Sequence, residues 1–152
     1  MRKKAIALGF ILIFSIFLLG ACSQGKSELA GNAVKIFKGP GCGCCDIFVD
    51  YMGKKGFDVE ASSPSDIAAI KQEHGVPDSM ESCHTTIIGD YFVEGHVPVE
   101  AVEKLMLEKP DIKGIAMPGM PSGSPGMPGP KYGPFIVYAV NKDGSTSEFM
   151  RI

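Results

Sequence analysis

Four cysteines fall into two tight groups, Cys42-Gly43-Cys44-Cys45 and Cys83 next to His84. Thiolate and imidazole donors of this kind suit Cu(I) or zinc. Residues 34–38 read as a strand and residues 45–56 as a helix, with Gly39-Pro40-Gly41 bending the chain between them. The first cysteine group therefore sits on a strand-to-helix turn. Thiols there face unpaired N–H groups and the positive end of the helix dipole, both of which favour thiolate. Thiolate binds metals and also attacks disulfides, so the residues define two chemistries, a metal site and a redox site. Cys42 and Cys45 alone have the C-x-x-C spacing of a redox pair. A structural zinc site takes its cysteines as spaced pairs that wrap one tetrahedral ion. Here three thiols are packed into four residues, which suits bridging several Cu(I) ions better than closing one tetrahedron. Copper is the metal this spacing predicts, and zinc is the alternative.

The fifth cysteine concerns location. Arg2-Lys3-Lys4 is followed by an apolar run, Ala5 to Leu19, and then by Leu19-Gly20-Ala21-Cys22. A basic start, a short apolar stretch and small residues before a cut describe a secretory leader. The apolar stretch is short for a full membrane span. A cysteine directly after the small residues resembles a bacterial lipobox, which implies a leader over residues 1–21 and lipid on Cys22. Acyl chains there would hold the protein on the outer side of a bacterial membrane, periplasmic or cell-surface. Residues 22–33 are small and polar and read as a tether. The domain then runs from residue 34 to 152, a length that allows one modest core. The chain has 15 basic and 17 acidic residues; without Arg2, Lys3 and Lys4 the balance is 12 against 17, a net charge near −5. That argues against nucleic acid as a partner. Secretion means an oxidising environment, in which free cysteines need an explanation.

The rest of the chain supplies the scaffold. Cys45, Phe48, Val49 and Met52 form an apolar stripe at helical spacing. Residues 57–61 alternate as a strand, and Ser63-Pro64 with Asp66 marks a helix start. Residues 85–88 and 91–94 flank Gly89-Asp90, a two-residue hairpin signal. Pro98 opens a third helix and Pro110 closes it. Residues 114–130, rich in Gly, Pro and Met, show neither helical nor strand period and read as a long loop. Residues 135–140 and 146–151 form a second hairpin. The order is strand, helix, strand, helix, hairpin, helix, hairpin. With C-x-x-C on the first strand–helix turn, it predicts an α/β thioredoxin-like domain, a central mixed sheet with flanking helices, a C-terminal β-hairpin and a long Met/Gly/Pro loop.

Counting outward from Gly89-Asp90 pairs Ile88 with Tyr91, Thr85 with Glu94 and His84 with Gly95, and sets Cys83 opposite His96. Facing residues have Cβ atoms about 5 Å apart. Cys83 and His96 are thus expected beside the Cys42–Cys45 turn. Cys42, Cys44, Cys45 and Cys83 are the candidate ligands, joined by His84 and His96 either as ligands or as hydrogen-bond partners of a thiolate. Met117, Met120 and Met127 read chiefly as an adaptable apolar cover. In a metal-free oxidised protein, Cys83 is expected to be able to bridge to the turn.

The chain resembles small exported bacterial metal-binding proteins of the copper-resistance CopG type. The resemblance rests on residues 39–45 (GPGCGCC), 81–85 (ESCHT), 94–98 (EGHVP), 114–121 (GIAMPGMP) and 123–127 (GSPGM). It implies a thioredoxin-like fold and copper bound through the cysteines, without fixing a reaction. The combined expectation is an extracytoplasmic lipoprotein that sequesters Cu(I) or passes it to a copper exporter or copper chaperone. A thioredoxin-like thiol–disulfide oxidoreductase, with or without a link to copper, is the alternative.

Overall fold

The computed structural model describes residues 26–152. The expected leader, Cys22 and the expected tether up to residue 25 lie outside the described residues. The strands are β1 (Ala33–Lys38), β2 (Asp58–Ser62), β3 (His84–Ile88), β4 (Tyr91–Glu94), β5 (Ile112–Ala116), β6 (Ile136–Asn141) and β7 (Thr146–Arg151). The helices are α1 (Gly43–Lys54), α2 (Ile67–Glu73) and α3 (Val99–Glu108), with a 3-10 turn at Asp78–Met80. The described strands form one mixed sheet in the order β2-β1-β3-β4-β5-β6-β7. β1 pairs parallel with β2 and antiparallel with β3, and β4 pairs parallel with β5.

Alternating residues of the strands point to opposite faces and build two cores. Ile36, Ile88, Val93, Ile115 and Val137 join Phe48 and Met52 of α1 and Val102 and Leu105 of α3 in the larger core. Phe92, Ala116 and Val140 face the other way, against Val76 just beyond α2. The cysteine turn is thus anchored to the sheet through Phe48 and Met52, three and seven residues beyond Cys45.

The β3–β4 hairpin has the register counted from the sequence, from Ile88↔Tyr91 to Thr85↔Glu94. The Gly95 N–H then donates to the His84 carbonyl at 2.9 Å. Three details differ from expectation. Residues 114–116, expected to start the long loop, belong instead to β5. Gly114 hides it in the sequence, yet is needed there, because an added Cβ would overlap the Phe92 carbonyl and ring. α2 starts at Ile67, with Asp66 as its cap accepting the Ala69 N–H at 3.0 Å, so Pro64 lies outside the helix. Residues 27–32 are folded against the domain: the Ser27 N–H donates to the Lys55 carbonyl and the Gly31 N–H to that of Gly56, each at 2.8 Å.

Candidate metal centre

β1 delivers the chain to the sheet end at Lys38, and α1 starts at Gly43 with Cys42 as its cap residue. The Cys45 and Asp46 N–H groups both donate to the Cys42 carbonyl at 3.1 Å, which closes the first helical turn. The three cysteines are thereby gathered on one helix end. Cys83 arrives from the strand beside β1, one residue before β3 begins. The sulfurs of Cys42, Cys44, Cys45 and Cys83 all lie within 4.8 Å of one another.

Two of the four are covalently joined. Cys42 and Cys45 form a disulfide with their Cα atoms 5.3 Å apart, while Cys44 and Cys83 are free thiols. The bridge expected between Cys83 and the turn is therefore not the one present; the pair three residues apart on one helical turn takes it. Cys44 Sγ stands 3.5 Å from Cys42 Sγ and 4.0 Å from Cys83 Sγ. Cys45 is fully buried, whereas Cys44 is partly exposed. Burial pushes the Cys83 thiol up to about 11, helped by the charge and hydrogen bond of Cys44 and opposed by Lys71.

His84 and His96 are both 0% exposed and form a pair, ring against ring at right angles with centroids 4.7 Å apart. The His84 ring lies 4.3 Å from that of Phe48. His96 Nδ1 is 2.7 Å from the Pro125 carbonyl, which can only accept. The proton must therefore sit on Nδ1, leaving Nε2 of the neutral ring as a bare lone pair. Among the described residues, that Nε2 and both ring nitrogens of His84 have no hydrogen-bond partner. Orphaned buried polar atoms are rare and costly. Burial, then the neighbouring His96 and Lys71, lower His84 to about 3. Burial also lowers His96 against the pull of Pro125. Both rings are neutral at pH 7. The sulfur group is complete without them.

Residues 117–130 strap across this end of the molecule. The Ser82 hydroxyl donates to the Gly119 carbonyl at 2.6 Å, and the Ser122 and Ser124 hydroxyls tie the strap to its own carbonyls. Gly126 has φ +86° and lies so close that an added Cβ would sit 2.6 Å from the Cys44 carbonyl and 3.2 Å from His96 Nδ1. The three methionines separate here. Met117 is buried in the main core, Met120 is exposed, and Met127 lines a cleft of about 460 Å³ with Cys44, Ile47, Gly126 and Pro128.

One charged pair next to this site is not evident from the sequence. Lys71 of α2 and Glu94 of β4 are 3% and 0% exposed and form an ion pair. Burial raises Glu94 above the usual carboxylate range, and its bonds to Lys71, Thr85 and Ser82 oppose that rise. The available signal was Glu94 opposite Thr85 at the open end of the hairpin, the end away from the Gly89-Asp90 turn.

Fold and site together define a small mixed α/β protein with a cluster of four cysteine sulfurs at a strand–helix turn, covered by a Gly/Pro/Met strap. Residues 80–127 match the family model "Protein of unknown function, DUF411". Two solved structures, "Copper resistance protein copG- Form 1" and "Copper resistance protein copG- Form 2", align at a TM-score of 0.75 with 38% identity. Each alignment covers 80% of this chain and 98% of the other. The chain belongs to this CopG-type family. No curated protein matches it.

Proposed function

We propose that the protein is a copper-binding lipoprotein of the bacterial cell exterior that serves copper resistance by holding or transferring Cu(I). The observation that carries this is the convergence of four cysteine sulfurs within 4.8 Å, from segments about forty residues apart. Copper is the cargo. In the reduced protein, Cys42, Cys44, Cys45 and Cys83 supply a thiolate set of the softness Cu(I) prefers. The unpartnered nitrogens of His84 and His96 are neutral donors suited to the same ion, or to orienting the thiolates. Relatives named as copper resistance proteins support the choice of metal. The expected leader and Cys22 support an external, membrane-attached location, and a copper exporter or chaperone is the partner such a role requires.

The disulfide limits when the site is complete. With Cys42 joined to Cys45, only Cys44 and Cys83 of the four clustered cysteines are thiols. Two electrons and two protons delivered by a dithiol reductant would restore all four. Cys44 borders the cleft with Met127, so copper would enter at the exposed thiol and meet Cys45 last.

The C-x-x-C disulfide itself favours a second reading, a thiol–disulfide oxidoreductase. Cys44→Ser separates the two, because such an enzyme needs only Cys42 and Cys45. The copper reading predicts fewer Cu(I) ions bound, or binding about tenfold weaker or worse, under competition with a chromophoric Cu(I) chelator. Unaltered copper binding by Cys44→Ser, with rapid reduction of insulin disulfides by the wild type, would establish the enzyme instead.

A further inference from the structure

The proposed copper chemistry uses neither Lys71 nor Glu94, yet both are buried and charged. Taking such a pair out of water is costly, and apolar residues of similar size often serve stability as well or better. What apolar residues cannot do is hold the donors that converge on this carboxylate. Glu94 Oε1 accepts the Ser82 N–H at 2.6 Å as well as the Lys71 ammonium. Glu94 Oε2 accepts the Thr85 hydroxyl at 2.6 Å, and Lys71 donates to the same hydroxyl oxygen at 3.3 Å. Ser82 and Thr85 flank Cys83-His84 on either side. One carboxylate therefore grips both ends of the segment that carries Cys83, the cluster cysteine remote in sequence from the Cys42–Cys45 turn.

The grip extends to the strap. The Ser82 residue held through its N–H also donates its hydroxyl to the Gly119 carbonyl at 2.6 Å. The Glu94 backbone carbonyl accepts the Met117 N–H at 3.0 Å. Without the carboxylate, the Ser82 N–H and Thr85 hydroxyl would lose their acceptor, and the turn before β3 would be free to shift. Cys83 Sγ lies 4.0 Å from Cys44 Sγ, so a small shift opens the cluster.

We infer that Glu94, anchored by Lys71, is a positioning residue that brackets Ser82 and Thr85 and so fixes Cys83 against the cysteine turn. Its consequence for copper rests on the function proposed above; its consequence for the geometry of Cys83 does not.

The deciding variant is Lys71→Met/Glu94→Met, which removes both charges together and leaves no uncompensated ion. Two quantities are read in the full reduced protein: the alkylation rate of each cysteine by iodoacetamide, resolved by mass spectrometry without metal, and Cu(I) affinity by chelator competition. The expected result is a folded protein in which Cys83 alkylates about tenfold faster while Cys44 changes little, with Cu(I) bound about tenfold more weakly, of the order of one lost charged hydrogen bond. A folded double variant with Cys83 reactivity unchanged, or with Cys44 and Cys83 altered equally, would overturn the inference. If the double variant does not fold, Thr85→Val removes one arm of the bracket while keeping the ion pair. It should speed Cys83 selectively, and an unchanged rate overturns the inference. A wild type that binds no Cu(I) defeats the functional reading, while the Cys83 rates still decide this one.

Discussion

His84 provides a stability test of the buried imidazole pair. In the folded protein its proton affinity is lowered to about 3, first by burial and then by His96 and Lys71, against an ordinary value of 6.5. A histidine lowered on folding contributes stability that is intact above its unfolded value and is lost as pH falls below it, because the unfolded chain takes the proton first. Between pH 7 and pH 4 the linkage amounts to about 3 kcal/mol. Glu94 acts in the opposite sense, since burial raises its pKa and its contribution is lost as pH rises. The wild type alone therefore reports a sum. The comparison is with His84→Gln, which keeps Glu94 and cannot titrate. Guanidinium unfolding of the metal-free, disulfide-intact proteins should show the wild type losing about 3 kcal/mol more than the variant between pH 7 and pH 4. Equal losses would mean that His84 reaches water or a hidden partner, and the case for an orphaned ring waiting for a ligand would fall.

Three further outcomes follow from the geometry. Gly126→Ala places a Cβ at φ +86° and 2.6 Å from the Cys44 carbonyl; it should cost about 1–3 kcal/mol in chemical denaturation and make Cys44 more reactive, whereas an unchanged rate would mean that the strap does not cover the turn. With Cys83 raised to about 11, Cu(I) must displace its proton at pH 7, so apparent affinity should rise about tenfold per pH unit for each proton released between about pH 6 and 8; a flat profile would exclude Cys83 as a ligand. Cys22→Ser should release the protein from membranes or stall its maturation, and an intact mass showing an unlipidated N-terminus in the wild type would contradict the lipoprotein expectation.

The β3–β4 hairpin was the most legible part of the chain, because Gly89-Asp90 fixes the turn and every pairing follows from it. Counting set Cys83 opposite His96, and the order of strands and helices put that end of the hairpin beside the cysteine turn. Two features resisted the same treatment. β5 carries Gly114, whose missing side chain makes room for Phe92 but erases the alternation that marks a strand. The Lys71–Glu94 pair escaped because spacing shows which side chains share a face, but not which charges a sheet and a helix enclose between them. The division of labour among neighbours was equally hidden. Cys83 and His84 are adjacent, yet the thiol joins the sulfur group while the imidazole packs on Phe48. The Cys42–Cys45 disulfide was legible as the C-x-x-C alternative, but that it forms in place of a bridge to Cys83 depends on local geometry around α1.

Whether the cysteines hold copper is decided by anaerobic Cu(I) titration of the fully reduced protein, with bound metal counted and copper X-ray absorption recorded on the loaded sample. The account predicts tight binding of Cu(I) in preference to zinc, a ligand shell dominated by sulfur, and loss of all four free thiols on loading. Retention of zinc against Cu(I), or four thiols that remain freely reactive after copper is added, would contradict it.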